Sequence, residues 1–286
     1  MANLTLDDLD IMGYSVAGEE TVIAMPQLDV CFDIGKAPDQ IVPINHVLLT
    51  HGHMDHAAGL AYYLSHRKFC GQSPGTVLAP ANLIAPIRQI LDAWGKLDGN
   101  AVPANLVPVT AGDEYPIKPN LFARVFPTKH SRGSVGYTVL EKRKKLKPEY
   151  AGLTGPQIVE LKKQGIAIDN PVEIPLVSYL GDTQYLDFGQ LPYVARSKIL
   201  IAECTFYIDE HAGRADAGRH MHIDEFAKLV EDLENEYVLV THLTQRTSMA
   251  EAKKLLREKL SPATLGKVFL LMAHMGRPNQ RPTPVQ

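Results

Sequence analysis

The chain has 286 residues, of which 45% are hydrophobic and 21% are charged, and its formal net charge at pH 7 is −3. A chain of this length and composition buries a core as one globular domain, so disordered and fibrous classes are excluded. The small net charge gives no chain-wide attraction to nucleic acid, and any site for a polyanion must be a local basic patch.

Cysteine usage and the N-terminal segment bear on location. The cysteines Cys31, Cys70 and Cys204 are odd in number and lack the spacing of a zinc ribbon or a redox motif, which favours free thiols in a reducing compartment. Residues 1–10 are acidic and have no basic stretch, unlike a signal peptide. No apolar run approaches the roughly 20 residues that a membrane helix requires. We therefore expect a cytoplasmic protein without membrane contact.

The first half of the chain predicts strands and then helices. Short apolar segments rich in strand-forming residues occur at 21–25, 30–35 and 47–50, and they predict a packed sheet. Segments 59–68 and 81–94 predict helices, the second of which follows a turn at Pro80. A histidine-rich segment separates the third strand from the first helix.

The second half returns to strands and ends in a polar tail. Strand patterns occur between 106 and 139, notably at 121–126 and 136–140, and again at 176–183, 199–204 and 237–241. Segments 223–234 and 249–259 predict helices. Residues 277–286 carry three prolines and are predicted to be disordered. We expect residues 1–286 to form a single α/β domain with this tail.

The segment 141–175 differs in composition from the strands around it and is predicted to be an inserted arm. It opens with a basic run and continues with a polar helical stretch around 158–163. A solvated face is the simplest interpretation of such a run, and phosphate binding is the alternative. The basic residues of the run are Lys142, Arg143, Lys144, Lys145 and Lys147.

Histidines and acids follow the predicted strands. Because strand ends deliver their polar residues to one edge of a layered α/β structure, these side chains predict one site. Its densest part is the segment 51–56, which offers His51, His53, Asp55 and His56. Grouping three imidazoles and a carboxylate has no packing benefit, and leaving buried polar groups unpaired costs several kcal/mol. The segment therefore predicts a metal site, and a turning loop can divide its ligands between two ions.

The donor types indicate the metal. Imidazole and carboxylate suit zinc and, with more carboxylate, manganese or iron. Two-metal hydrolases hold their ions about 3.5 to 4 Å apart, activate a water and stabilise the attacked and leaving oxygens. The sequence predicts a hydrolase that binds two Zn²⁺, with Mn²⁺ or Fe²⁺ as alternatives.

The segment Thr50-His51-Gly52-His53-Met54-Asp55-His56 resembles the HxHxDH signature of the metallo-β-lactamase superfamily. That resemblance implies an αβ/βα four-layer sandwich. It also implies one zinc held by His51, His53 and His130, a second held by Asp55, His56 and His242, and Asp182 as the bridge between them.

Further motifs resemble tRNase Z, in particular its short plant-type form. Residues 201–206 resemble the HEAT motif of that family, with Ala202 in place of the histidine, and residues 218–225 resemble the histidine motif that follows it. Residues 150–156, which contain Gly155 and Pro156, resemble the exosite arm that grips tRNA. One departure is Thr247 after Arg246, where the family tends to have an aromatic residue. The similarity spans roughly residues 13–269.

This resemblance implies an endoribonuclease that removes the 3′ trailer of precursor tRNA and leaves a 3′-hydroxyl. Asp55 would orient or deprotonate the attacking water, and His220, held by Glu203, would donate the proton to the leaving oxygen. Spacing alone does not decide between His220 and the rival His222.

The partners and alternatives follow from the same resemblance. Precursor tRNA would contact the arm through its basic run and the Gly155–Pro156 turn, and family members are commonly homodimers. The alternative is a small-molecule hydrolase of the same superfamily, that is, a phosphodiesterase, lactonase or β-lactamase. A third possibility is a non-catalytic scaffold, which usually loses metal ligands, and here none is missing.

Overall fold

Two seven-stranded mixed sheets form the centre of the computed structural model, which describes residues 1–276 and 282–285. The first sheet follows chain order, with antiparallel pairing from β1 to β4 and parallel pairing from β4 to β7. Its strands are β1 (Ala2–Leu6), β2 (Leu9–Val16), β3 (Glu20–Met25), β4 (Val30–Phe32), β5 (His46–Leu48), β6 (Thr76–Pro80) and β7 (Asn105–Val109).

The second sheet repeats this layout. Its strands also follow chain order, antiparallel from β8 to β11 and parallel from β11 to β14. They are β8 (Glu114–Lys118), β9 (Leu121–Pro127), β10 (Val135–Leu146), β11 (Asp169–Tyr179), β12 (Ile199–Glu203), β13 (Tyr237–Thr241) and β14 (Val268–Leu270). β12 is buried along its whole length, as expected of a parallel strand covered on both faces.

Helices connect the strands and cover the sheets. They are α1 (Met54–Ala57), α2 (Leu60–Phe69), α3 (Ile84–Asp98), α4 (Gly155–Lys163), α5 (Pro192–Ala195), α6 (Ala212–Gly218), α7 (Ile223–Asp232), α8 (Met249–Lys259) and α9 (Pro262–Leu265). None of the helices in the described ranges is both long and apolar enough to cross a membrane.

Three hydrophobic clusters lie between the four layers. The inner faces of the two sheets pack together, and Phe32 of β4 and Tyr179 of β11 meet there with ring centroids 5.1 Å apart. α2 and α3 pack on the outer face of the first sheet, while α7 and α8 pack on that of the second. This arrangement confirms the αβ/βα sandwich, in which buried apolar surface is the main source of stability.

Most predicted elements are present, with differences at their ends. The pair β1 and β2 was missed, although the alternating burial along β1 is typical of a half-buried strand. The strand predicted at 30–35 ends at Phe32, and the helix predicted at 81–94 begins as a 3-10 turn at Ala81–Leu83 before α3.

The segment 141–175 is continuous with the second sheet. The basic run lies on β10, which pairs with β11 as far as Leu146 and Asp169. α4 follows at the tip, where Thr154 caps the helix and Pro156 occupies its first turn. Lys142 forms ion pairs with Glu114 and Glu173 at the base, so its charge is already compensated.

The predicted disorder of residues 277–286 does not hold for the part of the tail that is described. Val285 is buried against the helices of the second sheet, and its backbone N–H donates to the carbonyl of Val268 over 2.9 Å. This contact secures residues 282–285 beside β14. The predictions for residues 277–281 and 286 lie outside the described residues.

Candidate metal centre

The predicted ligands lie together at one edge of the sandwich. β9, β11, β12 and β13 run in the same direction, so the residues that follow them share the carboxyl edge of the second sheet. His130, Asp182 and His242 each follow one of these strands. The segment after β5 and the short helix α1 bring His51 and His56 to the same place from the first sheet.

Donor atoms form four overlapping groups within this cluster, each with all its atoms within 4.8 Å of one another. Two of them contain Asp33, His51 and His56, and Asp182, His220 and His242. The other two are the candidate metal groups, one with His51, His53, His130 and Asp182 and one with Asp55, His56 and His242. Asp182 lies between them, because its Oδ2 is 3.8 Å from Nε2 of His51 and 3.3 Å from Nε2 of His242.

Gly181 allows two strand ends to approach each other. Its φ is +62°, and a Cβ at this position would lie 2.8 Å from Cγ2 of Thr50. Any larger residue would be strained in the left-handed region and would clash with Thr50. Gly181 therefore fixes the loop that carries Asp182 against the loop that carries His51.

A buried carboxylate, Asp33, orients the first-sheet histidines. Its Oδ1 accepts from the backbone N–H of Thr50 (2.8 Å), and its Oδ2 accepts from the Tyr179 hydroxyl (2.8 Å) and from Nδ1 of His56 (2.7 Å). The Thr50 hydroxyl donates to Asp33 and so accepts from Nδ1 of His51 over 2.9 Å. Nε2 of both rings is left as a lone pair facing the cluster.

The second-sheet histidines are held in the same way. The Thr205 hydroxyl donates to Glu203, and it accepts from Nδ1 of His242 over 3.0 Å. Nδ1 of His130 donates to the backbone carbonyl of Arg219 over 3.1 Å. The tautomers inferred from these bonds again turn Nε2 inward, which is the arrangement that metal-binding imidazoles adopt.

These inward lone pairs fit a divalent cation. Nε2 of His56 lies 3.3 Å from Nε2 of His242, and Nε2 of His51 is buried without a hydrogen-bond partner in the described part of the chain. Facing lone pairs repel each other unless a positive charge lies between them, and an unpaired buried nitrogen is costly. A set of imidazole and carboxylate donors matches zinc and its neighbours among the transition metals.

The local electrostatics also favour positive charge at this place. Burial and the neighbouring His56 lower the pKa of His51 well below its usual value. Burial would likewise lower the pKa of His56, but the carboxylates of Asp182 and Asp33 outweigh it and raise this pKa well above the usual value. A cluster that attracts a proton between its carboxylates attracts a metal cation in the same way.

His220 pairs with Glu203 at the border of the cluster, where its Nδ1 is also 3.9 Å from Oδ2 of Asp182. Nδ1 of His220 lies 3.1 Å from Oε1 of Glu203, and the ring centroids of His220 and His130 are 4.7 Å apart. Burial would lower the pKa of His220, but Glu203 and then Asp182 outweigh it and raise the pKa to about 9. Glu203 is itself fixed by the backbone N–H of Thr183 over 2.7 Å.

His222 has a different position. Its Nδ1 accepts from the backbone N–H of Asp224 and so caps α7, and its Nε2 donates to the carbonyl of Ile208. Both ring nitrogens are therefore engaged outside the two metal groups. The geometry favours His220 over His222 as a group that acts at the metal centre.

Sequence reasoning missed Asp33 and Arg219. Asp33 directly follows β4, which ends at Phe32. The strand was predicted to continue to residue 35, so Asp33 was not recognised as an acid that follows a strand. Arg219 has φ +56° and ends α6, and its guanidinium donates to the backbone carbonyl of His130 over 2.9 Å. No local pattern reveals this contact, because Arg219 and His130 are 89 residues apart.

Comparisons with known proteins agree with this fold and site. A family model described as the beta-lactamase superfamily domain matches residues 25–243. The structure resembles the metallo-beta-lactamase fold protein YhfI of Bacillus subtilis with a TM-score of 0.65 at 15% identity, covering 97% of this chain and 98% of that one. Fold and site thus define a protein of the beta-lactamase superfamily.

Sequence relatives narrow the family. The chain is 33% identical to tRNase Z TRZ1 of Arabidopsis thaliana over 274 residues, which is 94% of this chain and 96% of that protein. It is also 33% identical to the nuclear ribonuclease Z of Triticum aestivum over 169 residues, covering 59% of this chain and 96% of that protein. Human tRNase Z, short form, shares the fold with a TM-score of 0.53 at 16% identity, covering 83% of this chain and 86% of that one. This chain belongs to the tRNase Z family.

Proposed function

We propose that this protein is a metal-dependent endoribonuclease that removes the 3′ trailer of precursor tRNA and leaves a 3′-hydroxyl. The observation that carries the proposal is the extent of the kinship with tRNase Z TRZ1. Because it spans 94% of the chain, it includes the segment 141–175 as well as the metal-binding cluster. The pair His220–Glu203 beside that cluster supports the same reaction.

The proposed cofactor is a pair of Zn²⁺ ions, with Mn²⁺ or Fe²⁺ as alternatives. His51, His53 and His130 would hold one ion, Asp55, His56 and His242 the other, and Asp182 both. Divalent ions at these positions would polarise the phosphoryl oxygens and activate the attacking water. The support is the inward set of lone pairs described above.

Asp55 would orient the attacking water. Burial would raise the pKa of Asp55, but the neighbouring imidazoles of His242 and His56 outweigh it and lower the pKa. Oδ2 of Asp55 also accepts from the backbone N–H of Gly18 over 2.9 Å. A carboxylate that is anchored and has a lowered pKa binds a metal and accepts hydrogen bonds well, but it accepts a proton poorly. The role proposed for Asp55 is therefore to orient the attacking water and not to deprotonate it.

His220 would donate the proton that the leaving 3′ oxygen requires. Its Nδ1 is held by Glu203, which fixes the ring and favours the protonated form. Nε2 of the same ring is then free to donate. When the P–O3′ bond breaks, that proton completes the 3′-hydroxyl, and the 5′-phosphate remains on the trailer.

The activity is tested by incubating the purified protein and zinc with a precursor tRNA that carries a 3′ trailer and by mapping both product ends. Cleavage directly after the discriminator nucleotide, with a 3′-hydroxyl on the tRNA, is expected. A chelated sample and the His220→Ala variant are the controls. Turnover of a lactone or a small phosphodiester without cleavage of any precursor would refute the proposal and favour the small-molecule alternative.

The arm 141–175 is proposed to bind tRNA phosphates. Lys144, Lys145 and Lys147 have no ion-pair partner among the described side chains, whereas Lys142 and Arg143 pair with glutamates. The three unpaired lysines are therefore better suited than the other two to contact phosphate. Shape-reading contacts of this kind fit an RNA helix, whose deep major groove excludes side chains.

This proposal is tested with Lys144→Ala/Lys145→Ala. The slope of log affinity for precursor tRNA against log salt should decrease by about 1 per lysine, because each phosphate contact releases counterions. Lys253→Ala/Lys254→Ala on α8 removes the same charge elsewhere and is the matched control. Equal salt slopes for the two double variants would exclude the arm as a phosphate-binding element.

A homodimer is proposed from an exposed apolar patch beside the metal centre. Met54 and Trp94 are 78% and 53% exposed, and together with Ile90 they border an apolar groove between α1 and α3. Contiguous apolar surface of this kind marks an interaction site, and a second copy of the chain is the proposed occupant. Trp94→Glu should yield monomers in light scattering, whereas Val159→Glu on the arm should not. A monomeric unaltered protein would disprove the dimer.

The proposed location is the cytoplasm. One relative, tRNase Z TRZ2 of Arabidopsis thaliana, is described as chloroplastic, so members of this family differ in location. Imaging of a fluorescently tagged chain in its own cell tests the proposal, and signal confined to an organelle would contradict it.

A further inference from the structure

A cavity of about 470 Å³ lies over the metal-binding cluster. Its floor consists of candidate metal ligands, namely His53, Asp55, Asp182 and His242. The rest of its lining comes from two parts of the chain. Phe206, Arg214, Ala217 and His220 belong to the segment 206–220, and Ala17, Gly18 and Arg246 belong to the loops after β2 and β13.

Hydrogen bonds and ring contacts place Phe206 and Arg214 near the proposed proton donor. The backbone N–H of His220 donates to the carbonyl of Ala215 over 2.9 Å, which ties α6 and its Arg214 to His220. The ring centroid of Phe206 lies 6.2 Å from that of His220. Gly18, by contrast, donates its backbone N–H to Asp55.

The chemistry of the cut decides which nucleotide lies beside His220. If hydrolysis leaves a 3′-hydroxyl, the leaving oxygen is O3′ of the nucleotide on the 5′ side of the cut. The proton donor must lie within hydrogen-bond reach of that oxygen. The nucleotide that supplies O3′ therefore lies beside His220.

The residues near His220 suit a nucleotide. Phe206 is half-buried and presents an aromatic ring, on which a base stacks irrespective of its identity. Arg214 is exposed, and its guanidinium has no ion-pair partner within residues 1–276 and 282–285. The carboxylates on the cavity floor, Asp55 and Asp182, already pair with the imidazole of His242. An unpaired guanidinium and a partly exposed aromatic ring that line the same cavity are the pattern of a single-stranded nucleotide subsite.

We propose that Phe206 and Arg214 form the subsite for the nucleotide on the 5′ side of the cut. The base of that nucleotide stacks on Phe206, and its 5′-phosphate binds Arg214. The subsite rests on the proposed endoribonuclease function and adds to it the residues that position the tRNA end. Arg246 lines the same cavity but belongs to the loop after β13, not to the segment of Phe206 and His220.

The stacking contact is tested with precursor RNAs that carry an abasic residue on one side of the cut or the other. With intact precursor, Phe206→Leu should lower kcat/KM about 5- to 150-fold, which is the range for loss of one stacked base. With an abasic residue on the 5′ side, Phe206→Leu and the unaltered protein should cleave at the same rate. With an abasic first trailer nucleotide, the difference should persist, and Phe206→Tyr should behave as the unaltered protein throughout.

The phosphate contact is tested with Arg214→Gln and the comparison variant Arg246→Gln. A methylphosphonate at the phosphate 5′ to the upstream nucleotide removes its charge. This substitution should abolish the difference in kcat/KM between Arg214→Gln and the unaltered protein. The lower kcat/KM of Arg246→Gln should persist.

Different results overturn different statements. If the unaltered protein cuts no precursor, the proposed function fails and the subsite fails with it. If precursor is cut but the effect of Phe206→Leu is the same on all three RNAs, the ring has a structural role and the subsite alone is refuted. The subsite is also refuted if the effect disappears only on the RNA with the abasic trailer nucleotide. Metal content measured for each variant separates these outcomes from damage to the metal centre.

Discussion

Replacement of Asp33 by asparagine tests whether the buried hydrogen-bond network prepares the site for metal. Oδ1 of an asparagine still accepts from Thr50, and its amide nitrogen can donate to the hydroxyl of Tyr179. The bond from Nδ1 of His56 cannot be kept, because two N–H groups would then face each other at 2.7 Å. His56 would then move its proton to Nε2, and the lone pair that faces the metal group would be lost.

The expected size of this effect follows from the same contacts. Loss of an outer partner of a metal-binding histidine lowers metal affinity about 10- to 100-fold, which equals about 1.4 to 2.7 kcal/mol. Loss of one hydrogen bond to a charged group lowers the free energy of unfolding by about 1.5 to 3 kcal/mol. Competition with a chromogenic chelator measures zinc affinity, and denaturant unfolding of the metal-free protein measures stability.

Asp29→Asn is the matched control. Asp29 lies four residues before Asp33 and accepts from the backbone and side chain of Asn45, and it belongs to neither metal group. Its replacement should lower stability without a change in zinc affinity. If Asp33→Asn bound zinc as tightly as the unaltered protein, the inferred tautomer of His56 and the reasoning from it would be wrong.

Three other changes have separable outcomes. Glu203→Gln should lower turnover about 10- to 100-fold, because Glu203 holds His220. Since Glu203 supports His242 only through Thr205, zinc affinity should fall less than in Asp33→Asn. Unchanged turnover would contradict the role of Glu203. Arg219→Gly keeps the favourable backbone conformation but removes the hydrogen bond from the guanidinium to His130, so zinc affinity should fall several-fold. Arg219→Lys should restore part of this affinity. Equal zinc affinities for Arg219→Gly and the unaltered protein would exclude a positioning role for Arg219. Removal of metal by a chelator should lower Tm by about 5 to 10 °C, because a ligand at 100 times its Kd contributes about 2.7 kcal/mol to stability. Addition of zinc should restore the Tm. An unchanged Tm would argue against a metal that holds the two sheets together.

The candidate metal ligands could be predicted from the sequence because each follows an apolar strand. His130, Asp182 and His242 are far apart in the chain, yet the rule that parallel strands present their carboxyl ends at one edge predicted their meeting. The same rule applies to Asp33, but the strand predicted at 30–35 placed this residue inside the strand and not after its end.

Other features depend on tertiary contacts that no local pattern carries. His220 and His222 are equally polar and two residues apart, and only the start of α7 decides that His222 caps a helix. The basic run looked like a separate insertion because its composition differs from the core, although its backbone extends β10. The role proposed for Phe206 and Arg214 could not be predicted from the sequence, because it depends on a cavity that these residues share with the proposed proton donor.

The two sheets have the same layout, and each contributes part of both metal groups. His51 and His53 come from the half that contains the first sheet, and they share a group with His130 and Asp182 from the other half. Asp55 and His56 likewise depend on His242. In these two groups neither half supplies all the donors, so an ion bound there would act as a crosslink between the halves. Two fragments divided between β7 and β8 should therefore associate more tightly in zinc than in chelator.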